Sequence, residues 1–529
     1  MSELLERIAA RRPPVRRILM VCLGNICRSP SAEGVLRAAL ARHGLDELIE
    51  VDSCGTSDWH VGAPPDSRAI AHAAERGYDI SGLRARQLCV QDFYDVDLIL
   101  VMDDANLSDA RRLAPQDSPA LLGRLLDLLP TPLPTLARGS REVPDPYTGG
   151  PEAFEQVLDL IDIACEALID ALPRASLTAC NTLGFAATAR TFSEPRSVAE
   201  ARRQILDSRA ADERLVVIGG GSNLVLLPWL DAHVMRPAFE AMTITPAADG
   251  RTATVSVEAG KRWHALVMEL ATAGWWGYEN LALIPGCCGA APIQNIGAYG
   301  VELADHLLRL EVMSLEDGST RWLSREECAF GYRDSLFKGS LEHRVLITRL
   351  EFVVTREATP QLAYGDLAQR VNAATPQGVA ITPLSVANAV IATRSEKLPD
   401  PAVLGNAGSF FKNPQLAADE ARELLAHHPT LPHYPQADGS VKLAAGWLID
   451  QCGLKGARRG HVGVHDRQAL VLVHFGGGQV SELLALAQEV RESVHARFGV
   501  WLEQEPRVLG EMAVSVASAC GLLSLVTMS

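Results

Sequence analysis

The sequence predicts a multidomain chain of α/β and α+β parts, and three observations lead there. At 529 residues the chain exceeds the roughly 250–300 residues at which a single hydrophobic core stops growing, so about three to four domains are expected. Apolar residues make up 47% and charged residues 21%, the balance of packed domains rather than of a disordered chain. The third observation is a change of character near Pro173. Before it, the apolar run Ile18–Cys22 reads as a strand and Ser31–Leu40 as a helix, and the amphipathic run Phe154–Leu172 closes the region. After it, an apolar, Thr-rich stretch begins at Leu177, with strand, glycine loop and strand in succession. The expected division is 17–172, a linker at 173–177, then 178–398, 399–510 and a tail at 511–529.

A net charge of −15 and a pI near 5.5 argue against nucleic acid as a general partner and toward small molecules. The 11 cysteines show no C-x-x-C pair. That odd number suits a reducing compartment better than a disulfide framework or a zinc site, so a cytoplasmic location is expected. The opening MSELLERIAARRPPVRR mixes acids with arginines and is expected to be neither signal peptide nor anchor, but a frayed arm. Met512 to Met528 is uncharged, interrupted by serines and shorter than the roughly 20 residues a spanning helix requires; an appended tail and no membrane span are expected.

The most informative stretch is VCLGNICRSPSAE, Val21–Glu33. Between its strand and its helix, backbone N–H groups at a helix N-terminus converge on one point, a phosphate trap. Cys22 stands there as the candidate nucleophile, and the planar fork of Arg28 matches two phosphoryl oxygens. A Cys-x5-Arg pair alone arises by chance, but Gly24, Asn25 and Ser29 around it make the loop specific. Expelling a phenolate or alkoxide also needs a proton donor, and Asp145 in VPDPYTGG, Val143–Gly150, is the candidate.

With SDWHVG at Ser57–Gly62 and VMDDANL at Val101–Leu107, these motifs resemble the low-molecular-weight protein tyrosine phosphatase family. The resemblance implies a four-stranded parallel sheet with flanking helices, a phosphocysteine at Cys22 hydrolysed by water, no metal, and a phosphotyrosine protein as substrate. It implies that Trp59 and Tyr147 wall the slot for an aryl phosphate and that Asn25 and Ser29 brace the loop. Cys27 matches a family cysteine that traps the oxidised nucleophile. Thioredoxin-coupled arsenate reductases share the loop, but they need a further cysteine pair, for which this chain offers only Cys54 and Cys89. Leu83 stands before Arg84 where the family often carries histidine, which bears on substrate preference.

In RLVVIGGGSNLVLL, Arg214–Leu227, the residues Gly219, Gly220, Gly221, Ser222 and Asn223 form a loop between strands. No helix opens there, so a Rossmann fingerprint fails on context, yet the glycines admit a diphosphate to the backbone. A second rich region, LALIPGCCGAAPIQNIGAYGVEL at Leu281–Leu303, offers Gln294 and Asn295 as amides for the edge of a flat heterocycle. Its Pro285, Gly286, Gly289 and Gly297 permit tight turns beside a large planar ligand.

Together with FGYRDSLFK (Phe330–Lys338), YGDL (Tyr364–Leu367), RSEKLPDP (Arg394–Pro401), GNAGSFFKNP (Gly405–Pro414), KLAAGWLIDQ (Lys442–Gln451) and VWLEQEPRVLG (Val500–Gly510), these loops resemble the UDP-N-acetylenolpyruvoylglucosamine reductase family of peptidoglycan synthesis. The resemblance implies a PCMH-type FAD-binding α+β domain at 178–398 and a smaller α+β substrate domain at 399–510. It implies non-covalent FAD on the two glycine-rich loops, Arg394 near the flavin, and NADPH as hydride donor using the substrate's own cleft in alternation. The UDP-sugar substrate would meet Tyr364, Lys397, Asn413 and Gln451. Ala290 stands where the family usually has serine, removing one hydroxyl from the diphosphate's surroundings.

Reducing an enolpyruvyl ether requires a hydride on one alkene carbon, a proton on the next, and stabilisation of charge growing into the carboxylate. Ser409 is the candidate proton donor. By the resemblance, Arg333 polarises the carboxylate and Glu505 acts as an acid or anchors water. An unactivated serine is a poor acid, so a neighbouring Lys or Arg has to stabilise the alkoxide left behind. The expected whole is a bifunctional enzyme, a reductase fused to a phosphatase. The alternative is a reductase whose phosphatase-like half is a regulatory, phosphoprotein-binding module; the joint presence of Cys22, Arg28 and Asp145 favours the first.

Overall fold

The computed structural model describes residues 2–11, 15–43, 45–46, 49–130, 139–172, 175–436 and 438–510, so the expected tail lies outside the described residues. Two compact units make up the chain, dividing after Arg174.

In the first unit the strands Glu50–Gly55, Arg17–Cys22, Leu98–Val101 and Leu121–Arg124 lie side by side in that order, every pair parallel. Their apolar residues run on without alternation because helices cover both faces. Ile18, Met20 and Cys22 enter one core, and Leu19 and Val21 the other. The helices Arg28–Arg42, Ser67–Glu75, Asp104–Leu113 and Pro151–Ala171 complete this unit's α/β fold.

Residues 2–11 of the opening segment are not a frayed arm. Glu3–Ala10 is a helix whose N-cap, Ser2, accepts a hydrogen bond from the Leu5 N–H at 3.3 Å. Leu4, Leu5 and Ile8 are buried against the core of the first unit. Burying such side chains is worth about 1.5–3 kcal/mol each, enough to hold a two-turn helix that would not survive alone.

The second unit begins earlier than the expected linker allows. Ala175–Ser176 pairs antiparallel with Thr188–Ser193, and Leu177 is fully buried; residues 173–174 lie outside the description. Trp229–Met235 and Leu215–Val217 extend that sheet. Next comes an antiparallel five-stranded sheet in the order Met242–Pro246, Thr252–Glu258, Val345–Thr355, Leu307–Ser314, Thr320–Ser324. Alternate residues Ala253, Val255 and Val257 face a core shared with the helices Trp263–Thr272 and Pro383–Lys397.

The last part pairs Gly405–Ser409, Val471–His474, Val462–Val464 and Arg458–Arg459 in another antiparallel sheet, with the helix Val480–Phe498 beside it. The final strand, Arg507–Leu509, returns to pair in parallel with Leu224–Leu226, directly after the first glycine loop. Among the described residues no helix is long and apolar enough to cross a membrane.

Candidate active sites

A cavity of about 290 Å³ opens in the second unit between the two glycine loops. They press together so closely that a Cβ on Gly220 would lie 2.9 Å from the Gly286 Cα. Gly221 takes φ +67°, and a side chain there would strike the Cys180 carbonyl oxygen. Backbone therefore forms this wall, as close approach to a diphosphate requires. Asn223 Nδ2 donates to Gln294 Oε1 at 2.6 Å, joining the two loops. Ser222, Pro285, Ala290 and Gly297 also line the cavity. On the far side Arg394 reaches in from the helix Pro383–Lys397; its Nε is buried with no hydrogen-bond partner. Burial pulls the guanidinium pKa down, and the charge of Arg333 pulls the same way. A buried donor left without an acceptor costs about 1–3 kcal/mol. Glycine walls and an orphan donor together fit a polar, planar dinucleotide such as FAD.

Gly220→Val is expected to loosen that ligand. Forcing a side chain onto the Gly286 backbone costs about 1–3 kcal/mol by overpacking, or roughly 5- to 150-fold in affinity. Flavin absorbance per chain after gel filtration measures the loss, and a full complement of flavin would mean that the loops part without cost.

Ser409, Arg333 and Glu505 line the same cavity. Arg333 sits at φ +53°, in the turn Gly331–Asp334, a strain of about 1–3 kcal/mol that the surroundings must hold. Its Nη2 donates to the Gly297 carbonyl at 2.8 Å and its Nε lies 3.5 Å from Glu505 Oε1. A side chain at Gly297 would come within 3.2 Å of the same guanidinium, so this glycine makes room for Arg333. Burial raises the Glu505 pKa, against the opposing pull of Arg333, Lys412 and Lys338. One stretch of backbone positions Glu505: its N–H donates to the Phe410 carbonyl at 2.9 Å, and the Arg507 N–H donates to the Asn223 carbonyl at 3.1 Å. Residues 505–507 thus tie the Ser409 strand to the first glycine loop.

Other expected contacts lie elsewhere. Gly289 packs on Ala259 and lines a smaller cavity of about 90 Å³ that shares Gly219, Cys287 and Ala290 with the first. Asn295 turns inward, donating to Glu302 Oε2 at 2.7 Å and to the Gly331 carbonyl at 3.2 Å while accepting from the Ala304 N–H at 3.1 Å. Its amide thereby organises the turn that carries Arg333. Asn413 Oδ1 accepts from the Ala445 N–H at 3.0 Å, at the start of the helix Ala445–Gln451, and Gln451 is exposed at the other end. Lys397 is exposed at the end of the helix bearing Arg394. Tyr364 is 53% exposed and meets Tyr299 edge-on, with centroids 5.7 Å apart. None of these last four lines the described cavity. Lys338, which the motif contained without a role, does line it and donates to the Arg333 carbonyl at 3.2 Å.

In the first unit Cys22 closes its strand and Arg28 opens the helix Arg28–Arg42, so the loop between them curls about the sulfur. The Asn25 N–H donates to Cys22 Sγ at 3.3 Å, and Ser29 Oγ stands 3.0 Å from that sulfur. Asn25 has φ +54°. Its amide fixes the loop by donating to Ser29 Oγ at 3.0 Å and Ser53 Oγ at 2.9 Å and accepting from the Arg86 N–H at 3.0 Å.

Buried Arg28 donates to Asp103 Oδ2 at 2.6 Å and the Val143 carbonyl at 3.2 Å, and its Nη2 lies 3.5 Å from Asp145 Oδ2. Asp103, a second residue given no role from sequence, also caps the helix Asp104–Leu113 by accepting from the Asn106 N–H at 2.7 Å. Trp59 is 71% and Tyr147 51% exposed, so neither ring is packed into the core. Cys27 is buried, and burial, reinforced by Asp66 and Cys22, pushes its thiol up to about 12.

A cavity walled by glycine backbone, with room for a dinucleotide, puts the second unit in the class of flavin-binding proteins. Residues 189–324 match the family profile "FAD binding domain", and residues 400–509 match "UDP-N-acetylenolpyruvoylglucosamine reductase, C-terminal domain". Residues 17–177 match "Low molecular weight phosphotyrosine protein phosphatase". The chain is 48% identical over 331 residues to the UDP-N-acetylenolpyruvoylglucosamine reductase of Chromobacterium violaceum, covering 62% of this chain and 96% of that one. It is 50% identical over 330 residues to the reductase of Cupriavidus pinatubonensis, with 62% and 96% covered. A solved protein tyrosine phosphatase from Entamoeba histolytica is 36% identical, covering 29% of this chain and 95% of that one, at a TM-score of 0.27. The chain belongs to the UDP-N-acetylenolpyruvoylglucosamine reductase family and carries a low molecular weight phosphotyrosine protein phosphatase domain ahead of it. FAD is its cofactor and NADPH its hydride donor.

Proposed function

We propose that the second unit reduces UDP-N-acetylglucosamine enolpyruvate to UDP-N-acetylmuramate, and that the first hydrolyses phosphotyrosine-type esters. The reductase reading rests on Ser409, Arg333 and Glu505 sharing one cavity with the glycine loops. FAD, when bound, carries hydride from NADPH to the alkene. Arg333 holds the substrate carboxylate and Ser409 Oγ holds the proton destined for the carbon beside it. Glu505 keeps Arg333 oriented and, in its neutral form, donates a hydrogen bond to charge building on the carboxylate.

Glu505 brings a pH dependence with a definite sign. Its carboxyl pKa is raised in the folded chain, so the neutral form persists above the ordinary glutamate range and is lost as pH rises through that raised value. The rate of the enolpyruvyl half-reaction is expected to fall over the same rise. Glu505→Gln, neutral at every pH, is expected to be slower yet flat across it. A parental slope surviving in that variant would assign the titration to another group. The experiment that tests the reading itself is single-turnover reoxidation of reduced flavin by the enolpyruvyl sugar.

Support for the phosphatase reading comes from the Asn25 N–H that donates to Cys22 Sγ, the Ser29 hydroxyl beside that sulfur, and Arg28 at the other end of the same loop. Cys22 attacks phosphorus, Arg28 binds two of the phosphoryl oxygens, and Asp145 gives its proton to the leaving oxygen. Asp145→Asn is therefore expected to slow release of poor leaving groups by about 10²–10⁴-fold and activated phenols far less. Equal losses on both would contradict the acid role. Tight binding of aryl phosphates with no turnover in the parent chain would instead favour a regulatory module.

A further inference from the structure

Lys338 is carried into the cavity by the short turn Leu336–Lys338. Ser335 pins that turn: its hydroxyl donates to the Ile293 carbonyl at 2.7 Å and accepts from the Phe337 N–H at 3.2 Å, and Phe337 is buried. An ammonium has three donors, and one is taken by the Arg333 carbonyl at 3.2 Å. The charged groups facing Lys338 are Asp334, Glu503, Glu505 and the like-charged Lys412, which is itself paired with Glu503. Among the described residues Lys338 makes no ion pair, and it lines the same cavity as Ser409. We propose that Lys338 is a positioning residue acting through Ser409, its ammonium passing a proton to the serine oxygen as the serine protonates the substrate carbon.

This rests on the reductase reading. The step balances without a new reactant: as the C–H bond forms, the Ser409 O–H bond breaks. The O–H bond re-forms from a Lys338 N–H, and the neutral amine takes a proton from water. NADPH, already consumed by the reductase, supplies the electron pair. Burial, with the charge of Lys412 adding to it, lowers the Lys338 pKa below that of an ordinary lysine, which makes its ammonium a stronger acid toward the serine oxygen. The reoxidation rate is accordingly expected to fall as pH rises through that lowered value.

The test uses full-length, FAD-loaded chain with Lys338→Ala and Lys338→Arg, their flavin content and circular dichroism matched to the parent. Rapid mixing is expected to show parental reduction by NADPH and reoxidation by the enolpyruvyl sugar slowed by about 10²–10⁴-fold in both, because a guanidinium keeps the charge but does not give up a proton. Added ethylamine is expected to restore part of the rate in Lys338→Ala, which a purely structural role would not allow. Apart from turnover, acetylation of Lys338 in the parent, followed by mass spectrometry against pH, is expected to have its midpoint below the roughly 10.4 of a free lysine.

Parental reoxidation in Lys338→Arg would overturn the relay in favour of a fixed charge. Equal slowing of both half-reactions, or an acetylation midpoint at or above that of a free lysine, would also overturn it. Parental reoxidation in Ser409→Ala would remove the serine that Lys338 serves and so overturn both proposals, whereas failure of the Lys338 variants alone leaves the reductase reading standing.

Discussion

Ser409→Ala is expected to leave reduction of the flavin by NADPH at the parental rate while slowing its reoxidation by the enolpyruvyl sugar by about 10²–10⁴-fold, the usual worth of a general acid. The serine proton is needed only after hydride has left the flavin, so the first half-reaction does not depend on it. Ser409 sits at the end of its strand, with its ladder partner Val471 fully buried and the next residue, Phe410, bonded to Glu505. Removing one hydroxyl from a half-buried position should leave that frame intact. Arg333→Ala is expected to give the same asymmetry with a larger loss, because it strips the substrate carboxylate of the cation that stabilises the charge growing into it. Equal slowing of both half-reactions in Ser409→Ala would make the serine a support for the flavin pocket and not a proton donor.

Cys22→Ser is expected to abolish hydrolysis of aryl phosphates, measured with no metal added, and to leave NADPH oxidation in the same preparation unchanged. The loss should be near total, since a serine hydroxyl in that loop has no adjacent base to activate it and the phosphocysteine cannot form. The fold should tolerate the change: the side chain differs by one atom, and its contacts are the Asn25 N–H and the Ser29 hydroxyl. Hydrolysis that survives in the variant would remove Cys22 from the nucleophile's place.

Much of this was legible in the sequence because the chemistry is local. The phosphate loop spans seven residues from Cys22 to Arg28, and the two glycine loops announce themselves by residues that admit no side chain, as the 2.9 Å approach at Gly220 bears out. What escaped depends on contacts across long separations. Asp103 holds Arg28 from 75 residues away, and its role is invisible until the two parallel strands lie side by side. Lys338 follows Arg333 by one turn, and only the buried Phe337 and the Ser335 bonds fold it back toward the cavity.

Asn295 and Asn413 read from sequence as ligand contacts, and in the structure each serves the backbone: Asn295 bonds the Gly331 carbonyl and the Ala304 N–H, and Asn413 Oδ1 accepts from the Ala445 N–H. The helix Glu3–Ala10 was obscured by its arginine-rich flank, although Leu4, Leu5 and Ile8 already carried a helical apolar face.

The most direct measurement is the visible spectrum of the purified chain under nitrogen, taken before NADPH, after it, and again after UDP-N-acetylglucosamine enolpyruvate. The account predicts flavin bands in the chain as isolated, their bleaching by NADPH, and their return with one equivalent of the enolpyruvyl sugar. A chain without flavin, or flavin that NADPH bleaches and excess sugar does not restore, would contradict it.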